Sequence, residues 1–200
     1  LSIFSLNGIQ YFTALGYLSC NHNYLTNLPA LPASISNLDC SWNQLTSLPS
    51  LPGNMHGLNC SSNKINSLPA LPGSLTTLDC SNNLLTSLPF IPNSVFSLEC
   101  HYNHFTSLPS LPVSLSLLNC SNNQLTNLPI IPENVMYLFC SKNPISCFPD
   151  IAPRLPGNQP WLSIIIKNTL ISCIPNTGTF PISVVQSSVP LPICNSISKS

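Results

Sequence analysis

The chain has 200 residues and sets 5 Lys+Arg against 5 Asp+Glu with 4 His, a formal net charge of zero; only 5% of its residues are charged, where soluble proteins carry roughly 25%. This composition excludes the basic footprint of a nucleic-acid binder and the polybasic patch of a membrane-surface protein. Prolines and polar residues interrupt every apolar run well short of the ~18 residues that a membrane helix needs, so direct membrane insertion is not expected, and solubility rests on Ser, Asn and Thr.

The chain opens at Leu1 without the charged start and long apolar core of a signal peptide. It therefore reads as a mature piece of something longer. Its first stretch, IFSLNGIQYFTALGYL (3–18), spaces Ile3, Leu6, Ile9, Phe12 and Leu15 around an Asn-Gly pair.

From residue 18 one 20-residue sentence is written repeatedly. Cysteine falls at Cys20, Cys40, Cys60, Cys80, Cys100, Cys120 and Cys140. Leucine stands two residues before each, from Leu18 to Leu138, and asparagine three residues after, including Asn43, Asn63 and Asn83. An apolar residue follows at +5 (Leu25, Leu45, Ile65, Leu85, Phe105, Leu125, Ile145), then an "LP" or "FP" and, in most copies, a second proline. Self-similarity at a fixed period of this length means a solenoid, in which each unit stacks its few apolar residues on the same positions next door.

Within each copy the residues specify local structure. The alternation in Leu-x-Cys is that of a short strand with one buried face. The paired prolines fix φ and donate no backbone hydrogen bond, which disfavours a helix and suits an extended return. Asparagine can bond backbone groups in both directions, so a stacked Asn ladder can satisfy the turn.

The pattern L-x-C-S-x-N-x-L-T-x-L-P-x-L-P resembles the leucine-rich repeat in its short 20-residue bacterial form, over residues 15–149. The resemblance implies an α/β-class solenoid that is almost entirely strand and coil, with a short parallel sheet on the concave face and extended or 3-10 segments on the convex side. Residues 1–17 then resemble part of a longer 21–22-residue repeat with a helical convex side, and 18–149 hold seven short repeats. Residues 150–175 read as an insertion followed by a degenerate eighth repeat, with Ile166 at the Cys place and Thr169 at the Asn place. Residues 176–200 read as a cap and linker.

The seven-membered cysteine column is expected to be core filler. Stacked strands keep equivalent Cβ atoms ~4.8 Å apart with parallel vectors, whereas a disulfide wants Cβ atoms about 3.8 Å apart and converging. Zinc binding lacks any Cys-x₂-Cys pairing. Cys147, Cys173 and Cys194 stand apart, and a bond pairing Cys173 with Cys194, or Cys147 with Cys173, would pin the end of the solenoid and mark an oxidising compartment.

No enzymatic constellation stands out, and no metal or cofactor is implied. Asp39, Asp79 and Glu99 share one strand position, but Ser19, Asn59, Asn119 and Phe139 break the row. His101 and His104 lack further ligands. The NCS sequons at Asn59 and Asn119 read as by-products of the repeat. Outward positions are more informative. Tyr17, His22, Tyr24 and Trp42 form one candidate binding cluster on the concave face and His101, Tyr102 and His104 a second, with Glu99, Tyr137 and Phe139 as further outward candidates. Exposed aromatics are the usual anchors of recognition.

The expected function is a non-catalytic binding or adhesion module of a secreted cell-surface protein that recognises protein or glycan, with further domains of the chain or identical subunits as other contacts. The almost uncharged Cys-Ser-x-Asn variant resembles leucine-rich surface proteins of Bacteroidota-type bacteria. Two alternatives are a structural spacer or filament subunit, and the repeat region of a host-directed effector.

Overall fold

The structure, a computed structural model, describes residues 2–146, 162–167, 169–171, 174–175, 182–184 and 193–194. Each repeat contributes one three-residue strand: β1 (Tyr17–Ser19), β2 (Asn37–Asp39), β3 (Gly57–Asn59), β4 (Thr77–Asp79), β5 (Ser97–Glu99), β6 (Leu117–Asn119) and β7 (Tyr137–Phe139). Then follow β8 (Leu162–Ile165), β9 (Ile174–Pro175), β10 (Ile182–Val184) and β11 (Ile193–Cys194). Strands β1 to β8 pair in chain order and β10 joins β8, a nine-stranded parallel sheet, while β9 and β11 pair separately. The register is locked at one repeat per strand, Leu38 facing Leu58 and Leu58 facing Leu78, because any slip would turn the central leucine out of the core.

The strands are centred on the leucine and end one residue before the cysteine. The ladder nevertheless runs on: the N–H of Cys40 donates to the Asn59 carbonyl at 2.9 Å and that of Trp42 to the Ser61 carbonyl at 3.0 Å. Among the described residues the only helical turn is a 3-10 turn at Ile9–Tyr11, led by Gly8 at φ 99°; a positive φ there suits glycine. The opening segment thus carries one 3-10 turn, and the proline-bearing returns among the described residues have none.

The core consists of columns. Leu, Cys, the +5 apolar residue and the first "LP" leucine are buried in most rungs. The sequence pattern did not single out a further fully buried column, Ile35, Met55, Leu75, Val95, Leu115 and Val135. It sits behind a tight turn in which the second proline's carbonyl accepts the N–H three residues on, as in Pro72 to Leu75 at 3.0 Å. Serines brace this side: the Ser74 hydroxyl donates to the Gly53 and Met55 carbonyls, and Ser94 to those of Gly73 and Leu75.

The asparagine column ties rungs together. The Asn83 amide donates to the carbonyls of Cys80 (3.2 Å), Ser81 (3.1 Å) and, one rung back, Cys60 (3.0 Å), while its Oδ1 accepts the Ile65 N–H at 2.9 Å. Asn43, Asn63, Asn103, Asn123 and Asn143 repeat the arrangement, and Asn23 extends it to the first segment by accepting from the Ile3 N–H. At the far end Ile164 pairs with Leu138 and Ile166 is buried at the cysteine place. Cys147 and Cys173 lie outside the described residues, as does the side chain of Cys194, and so do residues 150–161 and most of 176–200.

Removing Asn83 leaves the buried Ile65 N–H without its partner and takes one of two donors from the carbonyls of Cys60, Cys80 and Ser81, which keep Asn63, Asn103 and the Ser62 N–H; a buried group left unpaired costs about 1–3 kcal/mol. Asn83→Ala is therefore expected to lower the unfolding free energy by about 1–3 kcal/mol, read from the urea midpoint. An unchanged midpoint would refute the staple.

Candidate functional site

The cysteine column is chemically quiet. All seven thiols are free and buried. Burial, with the Asp39 charge second, pushes the Cys20 thiol up to about 11, and burial pushes Cys140 up to about 12. Burial holds Cys40, Cys60, Cys80, Cys100 and Cys120 well above the ordinary thiol range. Thiolate is the nucleophile and the metal ligand, so this column serves neither role.

Unfolded thiols ionise near pH 8.5 while the folded ones do not, so the folded state keeps more protons. Stability is fully present below that pH and falls as pH rises toward 11, by up to about 1.4 kcal/mol per pH unit per thiol. The melting temperature should drop steeply between pH 8.5 and 10.5, and Cys80→Val should flatten the slope. A flat profile would contradict the assignment.

The concave face carries a shallow groove of about 300 Å³ over β1 to β5, lined by Tyr17, Asn37, Asp39, Gly57, Asn59, Thr77, Asp79, Ser97 and Glu99. Gly57 makes its floor. A Cβ at this position would meet Asn37 Oδ1 at 2.5 Å, so the gap in the column is already shared by a neighbouring side chain. The carboxylates are partly structural: Asp39 and Asp79 each accept the N–H and hydroxyl of the serine two residues on, at 2.6–3.1 Å, as Asn59 does with Ser61. This explains why the strand's last position favours Asp and Asn, including both sequon asparagines. The Asp79 carboxylate keeps one oxygen without a hydrogen bond among the described residues. Glu99 Oε2 is shut from solvent, makes no hydrogen bond, and stands 3.2 Å from His101 Nδ1; Asn119 Nδ2 approaches the same ring nitrogen at 3.1 Å. The groove is thus negative, with no lysine in its lining.

The structure divides the residues that the sequence grouped. Tyr17, Glu99, Tyr137 and Phe139 lie on the strands. His22, Tyr24, Trp42, His101, Tyr102 and His104 lie beyond them, on the turn that leaves the sheet. Position 22 and its equivalents adopt a left-handed backbone in every described short repeat: His22, Trp42, Ser62, Asn82, Tyr102, Asn122 and Lys142 have φ of 52–55°. This bend swings the following Asn inward to make its staple. A left-handed conformation costs a bulky residue roughly 1–2 kcal/mol, and Asn tolerates it best. His22 stacks on Trp42 with centroids 5.3 Å apart and planes 10° apart, while Tyr24 stacks on Phe4 at 5.4 Å and 15°. His101 meets Tyr102 edge-on. Phe4 and Gly57 were missed by the sequence reading; Gly57 could have been found by reading its column from Tyr17 to Tyr137, where it is the one glycine. Among the described residues no three His, Cys, Asp or Glu side chains are placed to hold a metal ion.

One strand per 20 residues, a continuous parallel sheet and a column-built core define a leucine-rich repeat solenoid. No protein-family model and no curated protein matches the chain, but solved structures do. It is 34% identical to the leucine-rich repeat domain of a Shigella effector, over 84% of this chain and 80% of that one, with a TM-score of 0.69. It is 31% identical to YopM, a leucine-rich effector of Yersinia pestis, over 84% of this chain but 50% of that one (TM-score 0.71), and 28% identical to YopM of Yersinia enterocolitica over 86% and 46% (TM-score 0.64). The chain belongs to the bacterial leucine-rich repeat proteins. It spans most of the Shigella domain and about half the length of the YopM chains.

Proposed function

We propose that the chain is a non-catalytic recognition module of an exported bacterial protein and holds a protein partner along its concave groove. The observation that supports this reading is the contrast between columns. The inward columns repeat Leu, Cys and Asn almost unchanged, whereas the outward column of the strands runs Tyr17, Asn37, Gly57, Thr77, Ser97, Leu117 and Tyr137. A surface that only needed to be soluble would not require large rings at its ends and a glycine hollow between them. Asp39, Asp79 and Glu99 make the hollow negative, which suits a partner presenting lysine or arginine, with an affinity weakened by salt.

Similarity to the repeat domains of effectors favours an effector's recognition region over the surface adhesin and spacer readings. We further propose the division read from the sequence: 1–17, 18–149, 150–175 and 176–200. The mass of the native protein tests its context, because an adhesin is expected to be long and modular.

Gly57→Tyr tests the groove. Tyrosine already occupies the same column at Tyr17 and Tyr137, and it would fill the hollow by displacing the flexible end of Asn37, without touching the core. The expected outcome is an unchanged melting temperature with loss of the proteins that the unmodified chain retains from a eukaryotic cell lysate, identified by mass spectrometry. If both proteins retain the same set in equal yield, the groove is not the recognition surface.

A further inference from the structure

The left-handed column carries a second, separate site. Its backbone ladder is continuous: Trp42 N–H to Ser61, Ser62 N–H to Ser81, Asn82 N–H to His101 and Tyr102 N–H to Ser121 carbonyls, all at 2.8–3.0 Å. Residues 42, 62, 82 and 102 therefore stand in line, one rung apart, at roughly 4.8 Å per rung. The sequence fills this line unevenly, with a ring at 42, a hydroxyl at 62, an amide at 82 and a ring at 102. Three rungs separate the two rings, roughly 14 Å. His22 covers one face of Trp42. The other face looks along the line toward Ser62, which is too short to cover it, and Trp42 remains 56% exposed.

We infer that this notch between Trp42 and Tyr102 binds carbohydrate, a pyranose seated on the free face of Trp42 with its hydroxyls on Ser62 and Asn82. Three features select this ligand. The lining side chains Trp42, Ser62, Asn82 and Tyr102 carry no charge, whereas the nearby groove is acidic. The floor is pre-arranged: Asn82 Nδ2 donates to Ser62 Oγ at 3.1 Å, so the serine hydroxyl can still donate and Asn82 Oδ1 can still accept. A sugar ring presents an apolar C–H face with a rim of hydroxyls, the complement of one ring face beside an amide and a hydroxyl. A protein hot spot would instead need a desolvated pocket with an apolar surround, and this ring lies on an open edge.

The backbone supplies an independent reason to look here. Every rung needs a left-handed residue to place its Asn, and Asn82 and Asn122 meet that need cheaply. Tryptophan at the same position works against the local conformation and is mostly outside the core, so folding alone does not explain it.

The test uses the 200-residue chain and a panel of soluble glucose, galactose, mannose and N-acetylglucosamine oligomers, followed by saturation-transfer NMR and tryptophan fluorescence. At least one saccharide should bind. Trp42→Asn, which installs the residue of rungs 82 and 122, should weaken that saccharide by about tenfold or more while the melting temperature stays level or rises. Ser62→Trp, which fills the vacant rung, should abolish binding. Gly57→Tyr should leave saccharide binding intact, so failure of the groove reading and failure of this one are separable. The inference is overturned if no member of the panel binds, if Trp42→Asn binds as well as the unmodified chain, or if its only effect is on retention of a protein.

Discussion

The structure depends on satisfying backbone groups in a chain whose regular hydrogen bonding runs only from rung to rung. Three residues in each 20 are strand and the proline-rich return cannot form a helix; the rung-to-rung backbone ladder runs on past the strand and still leaves buried groups such as the Ile65 N–H in need of side-chain partners. The asparagine column supplies them. Each amide joins two carbonyls of its own rung to one of the previous rung, and each Oδ1 takes an N–H from the previous rung. Stacking is thereby coupled to turn formation. A rung out of register would strand its carbonyls in an apolar interior, where an unpaired group is costly.

That requirement dictates the backbone at the preceding residue. The Asn side chain reaches inward only after a left-handed bend, so a strained position recurs at each rung whatever side chain stands there. The cysteine column answers a different constraint. At its place between the strand and the bend there is room for a small apolar group, and the burial that makes the thiols good filler also keeps them protonated and unreactive. With so few charges, the molecule has little long-range electrostatic character apart from the three carboxylates that share the groove.

Function is then a matter of which columns are free to vary. Inward columns are fixed by packing and hydrogen bonding. The columns on either side of the strand leucine, and those on the turn edge, carry the differences between rungs. They present two surfaces of opposite chemistry. One is an acidic hollow over Gly57 on the sheet. The other is an uncharged notch beside Trp42 on the edge. Because the fold repeats, the distance between any two features is set by the number of rungs separating them, and a difference in one rung remains local.

The sequence alone determined the architecture. The 20-residue period of Leu18, Cys20 and Asn23, recurring seven times, already required stacked strands and an Asn ladder, and the paired prolines, recurring six times, already excluded helical returns, because these signals are local. It also picked out the aromatic and charged outward residues. What it left open was which of them share a surface. Tyr17 and Trp42 look alike in a list of outward positions, yet one stands on the sheet and the other on a left-handed bend that no glycine announces. Likewise the column of Ile35, Met55 and Leu75 carries no fixed residue type, and its burial follows only once the proline turn folds it behind the sheet. The pairing of Phe4 with Tyr24 and of His22 with Trp42 is a relation between residues 20 apart. Tertiary structure decided these points because side-chain direction depends on backbone dihedrals that varied residue types can share, and proximity depends on stacking.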